Sequence, residues 1–317
     1  MACMVCGISK AIIVRPRGKN KVCKTCFLDG FEADVHETIV ASGMFQKGDR
    51  IGIGVSGGKD STVLAYVLDL LNRKHGYGVE LVLLSVDEGI VGYRDQSIES
   101  VCRNSKDLGI KLRIVSFEDV FGVTMDRVVQ KIGRRSNCTY CGVFRRQALE
   151  KAAREMGVDA IATGHNADDM AETVLLNVLR GDISRLRRCT LAKTKEQKGG
   201  DGKAMSLSRL KPFKNIYQKE IVLYAFHRKL EYFSTECTYS PGASRGDLRM
   251  LIKQLEKEDP GIIMDVIRSG DMLRQEECMG RAPRPCVLCA HSTSSDNGIC
   301  NGCVLVEKLE QCRVEDH

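Results

Sequence analysis

No run of eighteen or more apolar residues occurs among the 317 residues, which excludes a membrane-spanning helix. The first ten residues place Cys3 and Cys6 where a signal peptide would carry its apolar core, so the chain is expected to stay in the cytoplasm. Tryptophan is absent, which decides nothing about function. There is no internal repeat beyond a likeness between two cysteine-paired ends, and no recognisable amidotransferase segment. Acidic residues are missing from 1–26, which hold Lys10, Arg15, Arg17, Lys19, Lys21 and Lys24. They are missing again from 127–146, which hold Arg127, Lys131, Arg134, Arg135, Arg145 and Arg146. Arg180, Arg185, Arg187 and Arg188 form a third basic group. The formal charge of +7 is modest for the length, so placement matters more than the total. Such clusters suit phosphate backbones, whose affinity comes largely from counterion release. Any one of them alone reads equally well as a solvated surface.

Cysteine is abundant, with fifteen in the chain. In a reducing compartment cysteines at this density bind metal or do redox chemistry rather than form disulfides. An apolar fraction of 43% and a charged fraction of 28% are ordinary for a globular protein. Composition divides the chain into a basic, cysteine-paired segment 1–30, a central domain 31–245, and a helical connector with a second cysteine-paired segment 246–317.

In the centre, apolar runs predict strands at Arg50–Val55, Glu80–Val86, Lys111–Ser116 and Asp159–Thr163, with helices between them at Thr62–Leu71, Gln96–Leu108 and Phe144–Met156. Strands alternating with helices indicate an α/β fold with a doubly wound parallel sheet, which binds ligands at the carboxyl ends of its strands. The polar, glycine-rich stretch 193–203 reads as a mobile loop.

Ser56-Gly57-Gly58-Lys59-Asp60-Ser61 follows the first strand and opens a helix. Glycines let the backbone approach a polyanion, and the helix N-terminus directs N–H groups at it. It is not a Walker A loop, which needs Gly at position 53 and Ser or Thr at position 60. A second strand end carries Thr163-Gly164-His165-Asn166-Ala167-Asp168-Asp169. Asn166 suits a helix N-cap. The carboxylates of Asp168 and Asp169 suit Mg2+ or the orientation of reacting groups, though acids also favour helix N-termini through the dipole. Arg209–Phe213 reads as a structural turn.

Cys3, Cys6, Cys23 and Cys26 form two Cys-x-x-Cys pairs sixteen residues apart; Cys286, Cys289, Cys300 and Cys303 form two more, ten apart. Each set suits one closed, tetrahedral, structural Zn2+, stabilising a segment too small to fold on hydrophobic burial alone. The remaining pair, Cys138 and Cys141, has Cys237 as its natural third partner. Three thiolates can hold three corners of a 4Fe-4S cluster and leave one iron free; alternatively Cys141 and Cys237 could carry a persulfide, or the cysteines could be inert. Cys102, Cys189, Cys278 and Cys312 are unpaired and read as ordinary residues.

The loop Ser56–Ser61 resembles the pyrophosphate-binding loop of the PP-loop (N-type) ATP pyrophosphatases. The order of cysteine module, glycine loop, Cys138–Cys141, Thr163–Asp169, Cys237 and second cysteine module resembles the cytoplasmic tRNA 2-thiolation protein 1 family. The resemblance implies a PP-loop ATP pyrophosphatase fold flanked by two zinc modules. It implies an ATP-dependent sulfurtransferase that adenylates C2 of the wobble uridine in tRNAs for lysine, glutamate and glutamine and replaces its oxygen with sulfur. ATP is expected on Ser56, Gly57, Gly58, Lys59, Asp60 and Ser61, with Val86 near adenine and Gly164, His165 and Asp169 beside it. Chemistry falls to Cys138, Cys141, Cys237, Lys59, Asp60, Asp168, Asp169 and Arg145. Some relatives have Lys where Arg145 stands, and a guanidinium that stays charged is unsuited to proton transfer. Implied partners are tRNA, a ubiquitin-like sulfur carrier, and a related subunit of the tRNA 2-thiolation protein 2 type or a second copy. Thiolation of cytidine by a related PP-loop protein, or a non-catalytic zinc-bearing RNA-binding subunit, are the competing readings. The first sits poorly with two zinc modules, and the second with an intact glycine loop and cysteine trio.

Overall fold

The strand β1 (Arg50–Gly54) alternates isoleucine with glycine, and the alternation decides what each face of the sheet can hold. Ile51 and Ile53 enter one apolar layer. On the other face a Cβ at Gly52 would stand 2.5 Å from Leu84 Cδ1, and one at Gly54 would stand 3.3 Å from Leu149 Cδ2. The missing side chains therefore let a helix press close to the first strand. The computed structural model describes every residue except 135, 195–196, 199–203, 236, 240–243, 274–283 and 313–317.

Four further strands complete the sheet: β2 (Glu80–Asp87), β3 (Leu112–Ser116), β4 (Ala160–Thr163) and β5 (Ser208–Leu210). They lie in the order β3-β2-β1-β4-β5, all parallel. Strand order reverses between β1 and β4, and a sheet of this kind binds its ligand in the crevice outside the carboxyl ends of the strands at that switch point. Both family-like segments, Ser56–Ser61 and Gly164–Asp169, sit at that crevice. The fifth strand corrects the expectation of a plain turn at Arg209–Phe213: Ser208–Leu210 pairs with β4, and three residues are too few to show a periodic pattern.

Helices α1 (Lys24–Ala41), α2 (Lys59–His75), α3 (Arg94–Leu108), α4 (Asn137–Glu155), α5 (Ala167–Leu179), α6 (Gln218–Arg228), α7 (Ser244–Glu258), α8 (Ile262–Met272) and α9 (Asn301–Gln311) surround the sheet. Side chains of α1, α2 and α6 join Ile51, Ile53, Leu83 and Ala162 in one core. Val82, Leu84 and Ile161, which alternate with those positions, join Phe144, Ala148 and Ala152 of α4 and Leu305 and Leu309 of α9 in the other. The charged connector becomes α7 and α8, whose Ile252, Ile263 and Ile267 pack on Ala167 and Met170 of α5.

The expected boundary at residue 30 falls inside α1, which begins on the cysteine module and ends in the sheet's core. Cys23 caps this helix by accepting a hydrogen bond from the Cys26 N–H at 3.5 Å. Phe27, Phe31 and Val35 then bury completely. Each such side chain contributes roughly 1.5–3 kcal/mol, which anchors the N-terminal module to the domain without a linker. Arg15, counted among the basic residues of the first segment, is committed to this anchorage: it pairs with Asp34 at 2.6 Å and Glu220 at 2.8 Å. Of the glycine-rich stretch 193–203, residues 195–196 and 199–203 lie outside the described residues, as do Arg135, Cys278 and the last residues of the chain.

Candidate active site and metal centres

The glycine loop is held from three sides. Gly57 has φ +72°, and a Cβ there would lie 2.7 Å from Ser97 O, so only glycine fits. Its carbonyl accepts from Ser100 Oγ at 3.1 Å and from the Phe233 N–H at 2.8 Å. Ser97 Oγ donates to Ser56 O at 3.0 Å. Ser61 Oγ donates to Gly58 O at 3.0 Å and accepts from Ser56 N at 3.2 Å, so this hydroxyl shapes the loop. No side chain caps α2 behind Gly58, which leaves first-turn N–H groups for an anion.

The second crevice loop touches the first. A Cβ at Gly164 would stand 3.0 Å from the Asp60 carbonyl carbon. Asp60 accepts from Lys59 Nζ at 3.0 Å and from Asn166 Nδ2 at 3.2 Å. Burial pushes its carboxyl above the usual carboxylate range, Lys59 works against that shift, and the charge of Asp169 adds to it. Asn166 is buried and does two jobs, bridging to Asp60 and capping α5 by accepting from the Asp169 N–H at 3.1 Å. Only the capping role is legible in the sequence. His165 Nδ1 lies 2.8 Å from Thr163 Oγ1, and Val86 is half-buried at the end of β2.

Asp168 departs from expectation. Its carboxylate accepts from the Gln218 N–H at 2.7 Å and from Lys253 of α7, so it ties α5 to α6 and α7. Consecutive helix residues point about 100° apart, which turns the two adjacent acids to different sides of α5. Asp169 faces Asp60 and the crevice; Asp168 faces the helices behind it.

Cys138 and Cys141 occupy the first turns of α4. Segment 231–239 reaches them directly from the glycine loop: its Phe233 N–H donates to Gly57 O, and its Tyr239 O accepts from Asn137 Nδ2 at 3.4 Å. Cys237 lies between these anchors. The three thiols are near enough that ionising Cys138 or Cys237 disfavours ionising Cys141, and Cys138 acts likewise on Cys237. Burial pushes the Cys141 thiol up to about 11, against the pull of Arg145, and pushes Cys237 up as well. Arg145 Nη2 donates to Cys141 Sγ at 3.3 Å while its Nε pairs with Glu88 Oε1 at 2.8 Å. Burial alone would lower the Arg145 pKa, but Glu88 and Cys141 hold it above the ordinary guanidinium value. Glu88 is a buried acid that sequence reading missed; the only signal was a second acid beside Asp87 at the end of β2.

The other eight cysteines converge as two tetrads. In each, all four sulfurs lie within 4.8 Å of one another, and among the described residues no other group of three or more potential ligands is so tight. Tetrahedral Zn–S bonds of about 2.3 Å place thiolates about 3.8 Å apart. The separations Cys286–Cys303, 3.9 Å, and Cys289–Cys300, 3.5 Å, match. Backbone N–H groups point at the sulfurs in both: Cys23 N to Cys3 Sγ and Cys300 N to Cys286 Sγ, each at 3.2 Å. Hydrogen bonds led by that from the Cys6 backbone lower the Cys3 thiol to about 6. In Cys286 burial opposes such bonds, and the thiol still falls to about 6. Closed thiolate tetrads fit structural metal, whereas the looser trio Cys138, Cys141 and Cys237 cannot share one ion in this arrangement. Thiolates on separate corners of a cluster stand further apart than those on one ion.

A family model described as the PP-loop domain matches residues 30–255. The protein named Cytoplasmic tRNA 2-thiolation protein 1 from Drosophila melanogaster is 52% identical over 307 residues, covering 96% of this chain and 87% of its own. Its namesake from Malassezia globosa is 50% identical over 327 residues, covering 98% and 87%. Among solved structures, the U34-tRNA thiolase NcsA from Methanococcus maripaludis with its 4Fe-4S cluster is similar with a TM-score of 0.82 and 30% identity, over 98% of this chain and 96% of that one.

Proposed function

The chain belongs to the cytoplasmic tRNA 2-thiolation protein 1 family of PP-loop proteins, and from that premise we propose that it is a cytoplasmic, ATP-dependent enzyme that replaces the C2 oxygen of a tRNA wobble uridine with sulfur. The observation that carries this reading is segment 231–239, which begins its contacts at Gly57 and delivers Cys237 to the turn bearing Cys138 and Cys141. Nucleotide chemistry and thiols are thereby kept beside each other.

ATP would lie with its phosphates on Ser56–Ser61, and Asp60 and Asp169 would be the carboxylates placed to hold its Mg2+. The uridine C2 oxygen attacks the α-phosphorus; an O–P bond forms, the bond to the β-phosphate oxygen breaks, and pyrophosphate leaves. Lys59 offsets charge developing on the phosphates. A sulfide sulfur then adds to C2, the C2–O bond breaks, and AMP departs. Arg145, held by Glu88, lies beside Cys141, where its fixed charge favours the thiolate. Three cysteines without a fourth fit a 4Fe-4S cluster bound at three corners, which would supply an iron open to sulfide. The sulfur comes from a ubiquitin-like carrier, the tRNAs are those for lysine, glutamate and glutamine, and the chain works with a related subunit or a second copy. Incubating protein, ATP, a sulfide source and unmodified tRNA should yield 2-thiouridine on nucleoside analysis by mass spectrometry. Thiocytidine instead, or no thiolated nucleoside, would refute the assignment.

Each tetrad holds one zinc ion. Elemental analysis should find two per chain, falling to one in a Cys286→Ser, Cys289→Ser double variant, with a melting temperature several degrees lower because metal binding is folding energy for such modules. Unchanged zinc in that variant would remove the C-terminal tetrad from the account.

A further inference from the structure

Two basic clusters that are about forty residues apart in the sequence meet beside the cysteine turn. Arg146 of α4 folds its side chain back toward the start of its own helix, and its Nη1 lies 3.7 Å from the point where a Cβ of Gly142 would stand. The guanidinium therefore lies over Gly142, within van der Waals distance of where a side chain would begin and one residue beyond Cys141. Arg209 of β5 comes up beneath it, donating to Arg146 O at 3.2 Å and to Glu150 Oε2 at 3.3 Å. Arg185, from the short helix Ile183–Cys189, is close enough to repel it.

Charge at this place is out of balance. Arg145 is taken up by Glu88. The buried Glu150 carboxylate is shared between Arg209 and Arg154, at 3.3 Å and 2.9 Å. Arg185 has Asp182 at 3.3 Å, in an exposed pair worth little. Arg146 is exposed and has no carboxylate partner among the described residues. Although its tip reaches solvent, partial loss of water to the neighbouring side chains, and then repulsion from Arg209, Arg185 and Arg145, makes its charge harder to hold. Crowding guanidiniums in excess of the acids beside them costs free energy unless an anion arrives, and planar guanidiniums suit phosphate oxygens.

We propose that Arg146, flanked by Arg185 and Arg209, is the binding site for an RNA phosphodiester next to the nucleotide being modified. The site is separate from the ATP loop, which has Lys59 and the α2 N-terminus of its own. It is an open surface assembled from α4, β5 and the helix Ile183–Cys189, which suits a chain passing across it rather than an isolated ion. It rests on the proposed function only in naming the RNA as substrate, and it fixes where the strand lies: a phosphate here sets the flanking base within reach of Cys141.

The test is tRNA affinity as a function of salt for the full chain and for Arg146→Ala and Arg146→Lys, with ATP affinity and zinc content as checks on folding. One lost phosphate contact lowers the slope of log K against log salt by about 1 and affinity at moderate salt about tenfold. Arg146→Ala should show both, with KM for tRNA raised more than kcat is lowered, and Arg146→Lys should recover most of the slope because a point charge still neutralises a phosphate. Affinity and slope within twofold of the parent would overturn the site. So would an unchanged slope with weaker binding of a protein sulfur donor, which would give the surface to a protein. If the parent chain forms no thiolated nucleoside yet Arg146→Ala still loses slope, the RNA site stands and the reaction assignment falls.

Discussion

Changing Cys237 to alanine should lower sulfur insertion by about 10³-fold or more, the scale on which losing a covalently acting group is felt, while pyrophosphate release on mixing ATP and tRNA continues. The two halves of the reaction separate because of how segment 231–239 is fastened. Its hold on the glycine loop is the Phe233 N–H bond to Gly57 O, and its hold on α4 is the Asn137 bond to Tyr239 O; neither uses the Cys237 side chain. Deleting one half-buried sulfur leaves Lys59, Asp60 and the first turn of α2 where they are. A rapid-quench measurement of pyrophosphate alongside mass spectrometry of the nucleosides would resolve the two steps. Equal loss of both would mean that Cys237 supports the fold, and undiminished thiolation would remove it from the chemistry.

An Asp60→Asn substitution should act in opposite directions on activity and stability. Asp60 bridges Lys59 and Asn166 and faces Asp169, so its charge organises the crevice that receives the phosphates. Pyrophosphate release should fall about 10²–10³-fold, as when one preorganised electrostatic group is removed. Burial raises the Asp60 pKa in the folded protein above its unfolded value, despite the nearby lysine. A carboxyl shifted that way favours folding most when protonated, and that contribution is lost as pH rises through the folded pKa. At neutral pH the ionised group therefore costs stability, and asparagine, which can still accept from Asn166 Nδ2, relieves it. The variant should melt about 1 °C higher than the parent near neutrality, with the gap closing in acid as the parent's carboxyl takes up its proton. Calorimetry across pH, paired with the pyrophosphate assay, checks both halves; a variant that is less stable at neutral pH and fully active would contradict the assignment.

Much of this architecture could be read from the chain because its signals are local. Cys-x-x-Cys pairs announce tetrads through short spacings, and the run Ser56–Ser61 carries its own glycines, lysine and helix start. Strands β1 to β4 are long enough to show apolar runs. What stayed hidden depends on partners distant in sequence. Ser208–Leu210 is too short to declare itself a strand. Glu88 gains meaning only when Arg145 arrives from α4, and Asn166 only when Asp60 comes within 3.2 Å. Asp168 looked equivalent to its neighbour until helix geometry turned it toward Lys253. Likewise the net charge gave no hint that Arg15 is structural while Arg146 is left uncompensated.

Gln147, one residue beyond Arg146, donates from Nε2 to Cys300 Sγ at 3.4 Å, and a Cβ at Gly302 would fall 2.0 Å from Gln147 Oε1. Lys131 Nζ, on the helix preceding α4, donates to Leu309 O at 2.9 Å. The α4 rod thus works as a strut between two groups of cysteines, its first turn carrying the trio and its middle braced on the C-terminal tetrad. Breaking up that tetrad would unload the brace, and the slackening would be transmitted along the rod to Cys138 and Cys141.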